Sequence, residues 1–153
     1  MRDLDKIDRN ILETLQRDGR ITMTDLANRV GLSATPCTER VRRLEREGII
    51  SGYHAHVNPH TLGLKMLVFV EIRLASKSEE AFEQVKHELH QVPEIMECHM
   101  VSGDFDYLVK ARLAEMTDYR KLLGDILLKL PAASESRSYV VMEELKETLF
   151  IQP

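Results

Sequence analysis

Residues 31–46, GLSATPCTERVRRLER, constrain this chain more than any other stretch. Cys37, Val41 and Leu44 recur at i, i+4 and i+7, the spacing that places three apolar side chains on one face of a helix. The far face collects Thr35, Glu39, Arg42, Arg43 and Arg46, with Arg40 at its edge. Gly31 can end a preceding helix in the left-handed conformation, and Ser33 or Thr35 can cap the next one. Pro36 is tolerated in a first helical turn, where its missing N–H removes no helical hydrogen bond. A short helix, a glycine turn and a second helix with outward arginines is the sequence form of a helix-turn-helix. Periodicity alone leaves two readings open: a helix that touches DNA, or an arginine-rich surface helix packed on its neighbours.

The flanks supply the partners such a helix needs. Leu4, Ile7, Ile11, Leu12 and Leu15 form a helical stripe, and Asp5 with Asp8 three residues on resembles a capping arrangement. Thr22 with Asp25 repeats that signature ahead of Leu26, Ala27 and Val30, and Gly48 closes the arginine helix. Each helix is too short to be stable alone, so the three must share one small core. From Ile49 to Val57, Tyr53, Ala55 and Val57 alternate with His54 and His56, the pattern of a strand or wing. Asn58-Pro59-His60 breaks it, and the linker is expected at 59–65.

Beyond the linker the rhythm changes. MLVFVEIRL (66–74) alternates as a strand; Ser76 and Glu79 open a helix with Phe82, Val85 and Leu89 inward. Ile95–Ser102 and Tyr107–Leu113 are strands about the turn Gly103-Asp104-Phe105-Asp106. Thr117 opens a helix with Leu122, Leu123, Ile126 and Leu130 inward, and Ser136–Leu145 is a fourth strand. The order β-α-β-β-α-β predicts a ferredoxin-like antiparallel sheet with two helices on one face. The fold class is therefore α+β, with a winged helix-turn-helix unit over 1–58 and a βαββαβ unit over 66–153. The uncovered sheet face, with Leu67, Phe69, Tyr139 and Val141, marks an interface, and self-association is the economical reading.

Charge at first argues against nucleic acid, at −4 over 153 residues. It is unevenly distributed. Residues 1–58 hold 10 Lys and Arg against 9 Asp and Glu, a net +1, whereas 59–153 hold 11 against 16, a net −5. Positive charge is concentrated over 29–46, and exposed charges are screened beyond about 8–10 Å, so local clustering governs phosphate contact. Cys37 and Cys98 lie in unrelated segments, which indicates neither a disulfide framework nor a cysteine-based zinc site. No apolar run approaches a bilayer span, and MRDLDKIDRN has no signal-type apolar segment, so the expectation is a cytoplasmic protein with no membrane partner.

With these pieces placed, the chain resembles the Lrp/AsnC (leucine-responsive regulatory protein) family of transcription regulators. The resemblance rests on LDKIDRNIL (4–12), LSATPCTERVRRLEREGII (32–50), LVFVEI (67–72), ECHMVSGDFDYLVK (97–110), DYRKLLGDILLKLP (118–131) and SYVVMEELKE (138–147). It is closer to the bacterial leucine- and alanine-responsive members than to archaeal ones. It implies that double-stranded DNA receives the helix carrying Ser33, Thr35, Pro36, Cys37, Glu39, Arg40, Arg42, Arg43 and Arg46. Within that set Thr35, Arg40 and Arg43 are expected at bases, and Arg42 and Arg46 at phosphates. It further implies a RAM-type effector domain that binds a small amino acid between subunits, leucine or alanine foremost. The effector residues it points to are Ser102, Gly103, Asp104, Asp106, Met116, Leu128, Tyr139, Val140 and Val141. Turn N–H groups there suit a carboxylate, and Asp106 can accept an ammonium. Assembly as a dimer, and as an octamer of paired dimers, is implied too.

Three other classes compete. An enzyme would need a nucleophile, a base and an orienting group, and His54, His56, His60, His87, His90 and His99 form no such set, so no catalytic residue and no cofactor is expected. His87 with His90, or Glu97-Cys98-His99, suggests as the alternative a metal-sensing winged-helix repressor with His, Cys and Glu ligands. An RNA-binding βαββαβ module would carry basic glycine-aromatic strands, which VSGDFDYLVK does not supply. An interaction-only sensor would not need the capped helices and clustered arginines.

Overall fold

The computed structural model describes residues 3–130 and 133–153, apart from the side chains of 127 and 128. The chain divides into two compact units, one of residues 1–56 with 146–153 and the other of residues 57–145. The last eight residues thus belong with the N-terminal helices, although sequence placed them with the sheet.

The first unit holds α1 (Lys6–Arg17), α2 (Met23–Val30) and α3 (Ala34–Arg46). Asp5 caps α1 in a reciprocal box: its Oδ1 accepts the Asp8 N–H at 2.8 Å, and the Asp8 Oδ2 accepts the Asp5 N–H at 3.3 Å. Thr22 caps α2, and Gly31 ends it at φ 74°, a conformation costly for any residue with a Cβ. Ser33 occupies the N-cap position of α3 but makes no side-chain cap bond. Ile11, Leu15, Leu26, Ala27, Val30, Cys37, Val41 and Leu44 form the shared core the three helices need.

The expected wing is not a paired strand: residues 51–58 form no ladder. Alternation predicts extended backbone, but a strand also needs a partner for its N–H and C=O groups. Tyr53 instead donates to Glu45 Oε1 at 2.9 Å, tacking the segment to the end of α3. The returning tail packs on α1, where Gln16 Nε2 donates to the Ile151 carbonyl at 2.8 Å and its Oε1 accepts the Ile151 N–H at 2.7 Å.

The second unit is a four-stranded antiparallel sheet, ordered β2 (Ile95–Met100), β3 (Tyr107–Leu113), β1 (Met66–Leu74), β4 (Ala133–Val140), with α4 (Glu79–His90) and α5 (Met116–Lys129). Register places Val68, Val70 and Ile72 opposite Ala111, Val109 and Tyr107, and these pack against Ala81, Val85 and Leu89 of α4 and Leu122 and Ile126 of α5. Several boundaries differ from expectation. The α4 cap is Ser78, not Ser76, and Glu115 rather than Thr117 precedes α5. The last strand is Ala133–Val140 rather than 136–145, because Val141 N–H reaches the Leu67 carbonyl near the start of β1 and few β1 residues remain to pair. The chain beyond crosses that end of the open face. Glu144 pairs with Arg112, the residue opposite Leu67, and Leu67 is accordingly buried. Phe69, Leu108 and Val141 stay half-buried and Tyr139 is exposed on this face.

Asp106 locks the opposite end. It is buried; its Oδ2 accepts the Leu74 N–H at 2.8 Å and its Oδ1 pairs with Lys77 Nζ at 2.8 Å. The Leu74 N–H bond, then Lys77, hold its carboxyl below the usual carboxylate range. Asp106→Ala leaves a buried N–H unsatisfied and should destabilise this unit by about 1–3 kcal/mol at neutral pH. A depressed folded pKa contributes stability above the unfolded carboxyl value, about 4, and loses it as pH falls. The gap in thermal midpoint between parent and variant should therefore narrow from pH 7 to pH 3.

Candidate nucleic-acid interface and effector site

Helical phase decides which α3 side chains can meet DNA. Ser33, Thr35, Glu39, Arg42 and Arg46 are exposed, and Pro36 is half-exposed. Cys37 is 0% exposed and sits in the core with Val41 and Leu44, so the expected DNA contact at Cys37 is corrected: its thiol is packing. Thr38 Oγ1 donates back to the Ala34 carbonyl at 2.8 Å.

The two arginines expected at bases point elsewhere. Arg40 Nη1 lies 2.6 Å from Asp5 Oδ2 and 2.8 Å from Asp8 Oδ1, and Arg43 Nη2 lies 2.6 Å from Asp8 Oδ2. Asp8 is 1% exposed, so both its oxygens face guanidinium groups inside the unit. Hydrogen bonds that Arg40 donates to Asp5 and then to Asp8 raise its pKa, and the Asp8 N–H and then Arg40 lower that of Asp5. This clamp escaped the sequence reading, which left the arginines either to DNA or to the surface of a packed helix. The capping pair Asp5/Asp8 was visible, but its second use as an arginine acceptor depends on how α1 crosses α3. Arg42 and Arg46, by contrast, form no ion pair among the described residues.

The effector candidates fall at two ends of the sheet. Ser102, Gly103 and Asp104 form an exposed turn, with Gly103 at φ 137°. That turn lies at the Ile72 end, since the Asp106 N–H bonds the Ile72 carbonyl at 2.9 Å. Asp106 is a structural anchor, with Oδ2 on the Leu74 N–H and Oδ1 on Lys77, so an effector ammonium there would share Oδ1 with the exposed Lys77 amine or replace it. Tyr139 pairs with Phe69, Val140 with Val68, and Val141 with Leu67, toward the other end. Met116 starts α5 just after Leu113, which opposes Met66 at that same end. Leu128 lies outside the described side chains. Two open clefts, of about 430 and 700 Å³, are lined by neither group.

The histidine and cysteine groups raised as metal ligands are otherwise occupied or dispersed. Glu97 takes Lys110 at 3.0 Å and His99 at 3.2 Å, and its pKa is lowered by His99 and then Lys110. Among the described residues no three His, Cys, Asp or Glu side chains gather as a metal site. No helix among them is long and apolar enough to cross a membrane.

Comparison with known proteins agrees with this division. Residues 4–51 match a winged helix-turn-helix DNA-binding family, and residues 67–149 match the Lrp/AsnC ligand binding domain. The leucine-responsive regulatory proteins of Escherichia coli K12 and Klebsiella pneumoniae are each 58% identical over 147 residues, 96% of this chain and 90% of theirs. A transcriptional regulator from Neisseria meningitidis, solved as an L-Met complex, superposes with a TM-score of 0.91 at 33% identity, covering 96% of this chain and 95% of that one. The Mycobacterium tuberculosis leucine response regulatory protein gives 0.80 at 31%, covering 98% and 100%. Helix-turn-helix, βαββαβ sheet and these relatives together place the chain in the Lrp/AsnC family of DNA-binding transcriptional regulators, with an amino-acid-binding domain and no enzymatic role.

Proposed function

We propose that this chain is a leucine-responsive regulator of amino-acid metabolism, working in the cytoplasm as a homodimer and as an octamer of dimers. The observation that carries this reading is 58% identity, over 90% of their length, to proteins named for their response to leucine. Alanine stands beside leucine on the residue pattern, and methionine on the L-Met complex of the meningococcal neighbour.

On this reading Thr35 and Glu39 meet base edges, and Arg42 and Arg46 meet phosphates. Glu39 suits a cytosine N4 donor, a contact worth about 1–3 kcal/mol of discrimination, while phosphate contacts set affinity and its salt dependence. Arg40 and Arg43 support the helix from behind.

The effector site is divided between subunits. Five residue steps of β1 separate Leu67, beside Val141, from Ile72, about 16–17 Å at ~3.3 Å per residue, which is longer than a free amino acid. One ligand at the Ser102–Asp104 turn is therefore too short to reach Val140 and Val141 of the same chain. A second copy that brings its own opposite end to the turn closes the site. The open sheet face, with Phe69 half-buried and Tyr139 46% exposed, supplies apolar area for the dimer contact.

Three measurements test this. Binding sites selected from randomised duplexes should lose a preference at one base pair with Glu39→Ala, whereas Arg42→Ala should weaken all duplexes alike and flatten the salt slope by about 0.9 per lost contact. In a thermal-shift screen of the twenty amino acids, leucine should raise the melting temperature most; a shift with methionine alone would replace leucine by methionine as effector. Phe69→Lys should give smaller species in sedimentation while the helical signal is retained; an unchanged sedimentation coefficient would remove that face from the assembly.

A further inference from the structure

Four arginines lie on α3, at 40, 42, 43 and 46, but only two are free to meet DNA as the unit is built. The side chains of Arg40 and Arg43 are 27% and 24% exposed, so solvent reaches them, yet each holds an oxygen of the buried Asp8. Arg43 also borders the outward face, beside Arg42 and one turn from Glu39 and Arg46. Released from Asp8, it would have phosphates within reach. A phosphate that recruits either arginine must take one of two guanidiniums from a buried carboxylate, which is unfavourable. Non-specific DNA binding is nearly all phosphate neutralisation and counterion release, so the number of free cations on the helix sets it.

We propose that Asp8 is a specificity-determining residue of the DNA-binding unit: it holds Arg43, and together with Asp5 holds Arg40, against α1 and so withholds two guanidiniums from indiscriminate contact with phosphates. Discrimination then falls to Thr35 and Glu39, whose contacts depend on the base pair, while Arg42 and Arg46 provide a limited electrostatic grip. Asp8 itself touches no DNA.

The experiment compares the full chain with Asp8→Asn, which keeps an oxygen for the capping box but loses the charge. Affinity for a duplex of random sequence is measured by fluorescence anisotropy over a series of salt concentrations, with thermal melting as a check on folding. Asp8→Asn should bind random duplex several-fold more tightly at low salt, with a slope steeper by about 1 unit per recognition helix, because Arg43 is released while Arg40 keeps Asp5. The ratio of selected-site to random-site affinity should fall. Adding Arg40→Gln and Arg43→Gln to that variant should abolish the gain. A purely structural role would lower binding to both duplexes and leave the slope alone, and that result would overturn the proposal. Arg40→Gln by itself leaves Arg43 on Asp8 and decides the matter even if Asp8→Asn does not fold. Unchanged random-duplex affinity and slope support withholding, and a flatter slope shows that Arg40 already meets phosphate and refutes it.

Discussion

A carboxylate 1% exposed to solvent cannot keep its charge without compensation, and at Asp8 that compensation comes from α3. Arg40 and Arg43 reach across to it while Asp5 closes the capping box beneath, so one side chain caps α1 and pins α3 to it. Losing both guanidiniums would leave this buried charge uncompensated, which typically costs about 3–5 kcal/mol. That is a large share of a typical whole-domain stability of roughly 5–15 kcal/mol. The apolar core of Ile11, Leu26, Val41 and Leu44 brings the helices together without a preferred direction. The charged clamp is directional and selects the orientation in which Thr35, Glu39, Arg42 and Arg46 face outward.

The sheet unit solves the same problem with less charge. Alternating strands present Val68, Val70, Ile72, Tyr107, Val109 and Ala111 to α4 and α5, and hydrogen-bond register fixes orientation without help. Buried polar locks stand at its two ends, Asp106 on Leu74 N–H at one and Arg112 with Glu144 at the other. Between them the open face mixes Phe69, Leu108 and Tyr139 with Glu71, Lys110 and Arg137. A face that combines apolar and charged side chains in this way is suited to association with a copy of itself.

Features that depend on neighbours in sequence were legible in it. The Asp5/Asp8 box, the Thr22 cap, the left-handed Gly31 and strand β1 are read from residues three or four apart or from strict alternation. Features that depend on distant segments were not. Nothing near Arg40 and Arg43 announces that Asp8, 32 residues earlier in the case of Arg40, will claim them. Asp106 looked available because it stands in a turn rich in polar residues, and only the antiparallel return of β3 along β1 sets it against Leu74. The tail 146–153 joins the helices through Gln16 and Ile151, a contact across 135 residues that no local pattern encodes. Helical periodicity correctly separated Cys37 from Glu39, yet the resemblance still placed both at DNA; burial settles that conflict in favour of periodicity.

Regulation follows from what the sheet leaves unfinished. A ligand changes DNA binding only if it binds unequally to states that differ in DNA affinity. On the proposed reading, a single chain lacks half of the effector site, so the amino acid has little affinity for the monomer and its binding energy goes into association. Reciprocity then requires that assembly raise ligand affinity by the same factor. DNA enters the same cycle, because several recognition helices held in one assembly engage neighbouring sites at high effective concentration. That gain is useful only while each helix binds random sequence weakly; otherwise multivalency would fix the assembly to DNA wherever it landed. On the proposed reading, a clamp that keeps two of four arginines off phosphates and an effector site shared between subunits are therefore complementary requirements of one regulator.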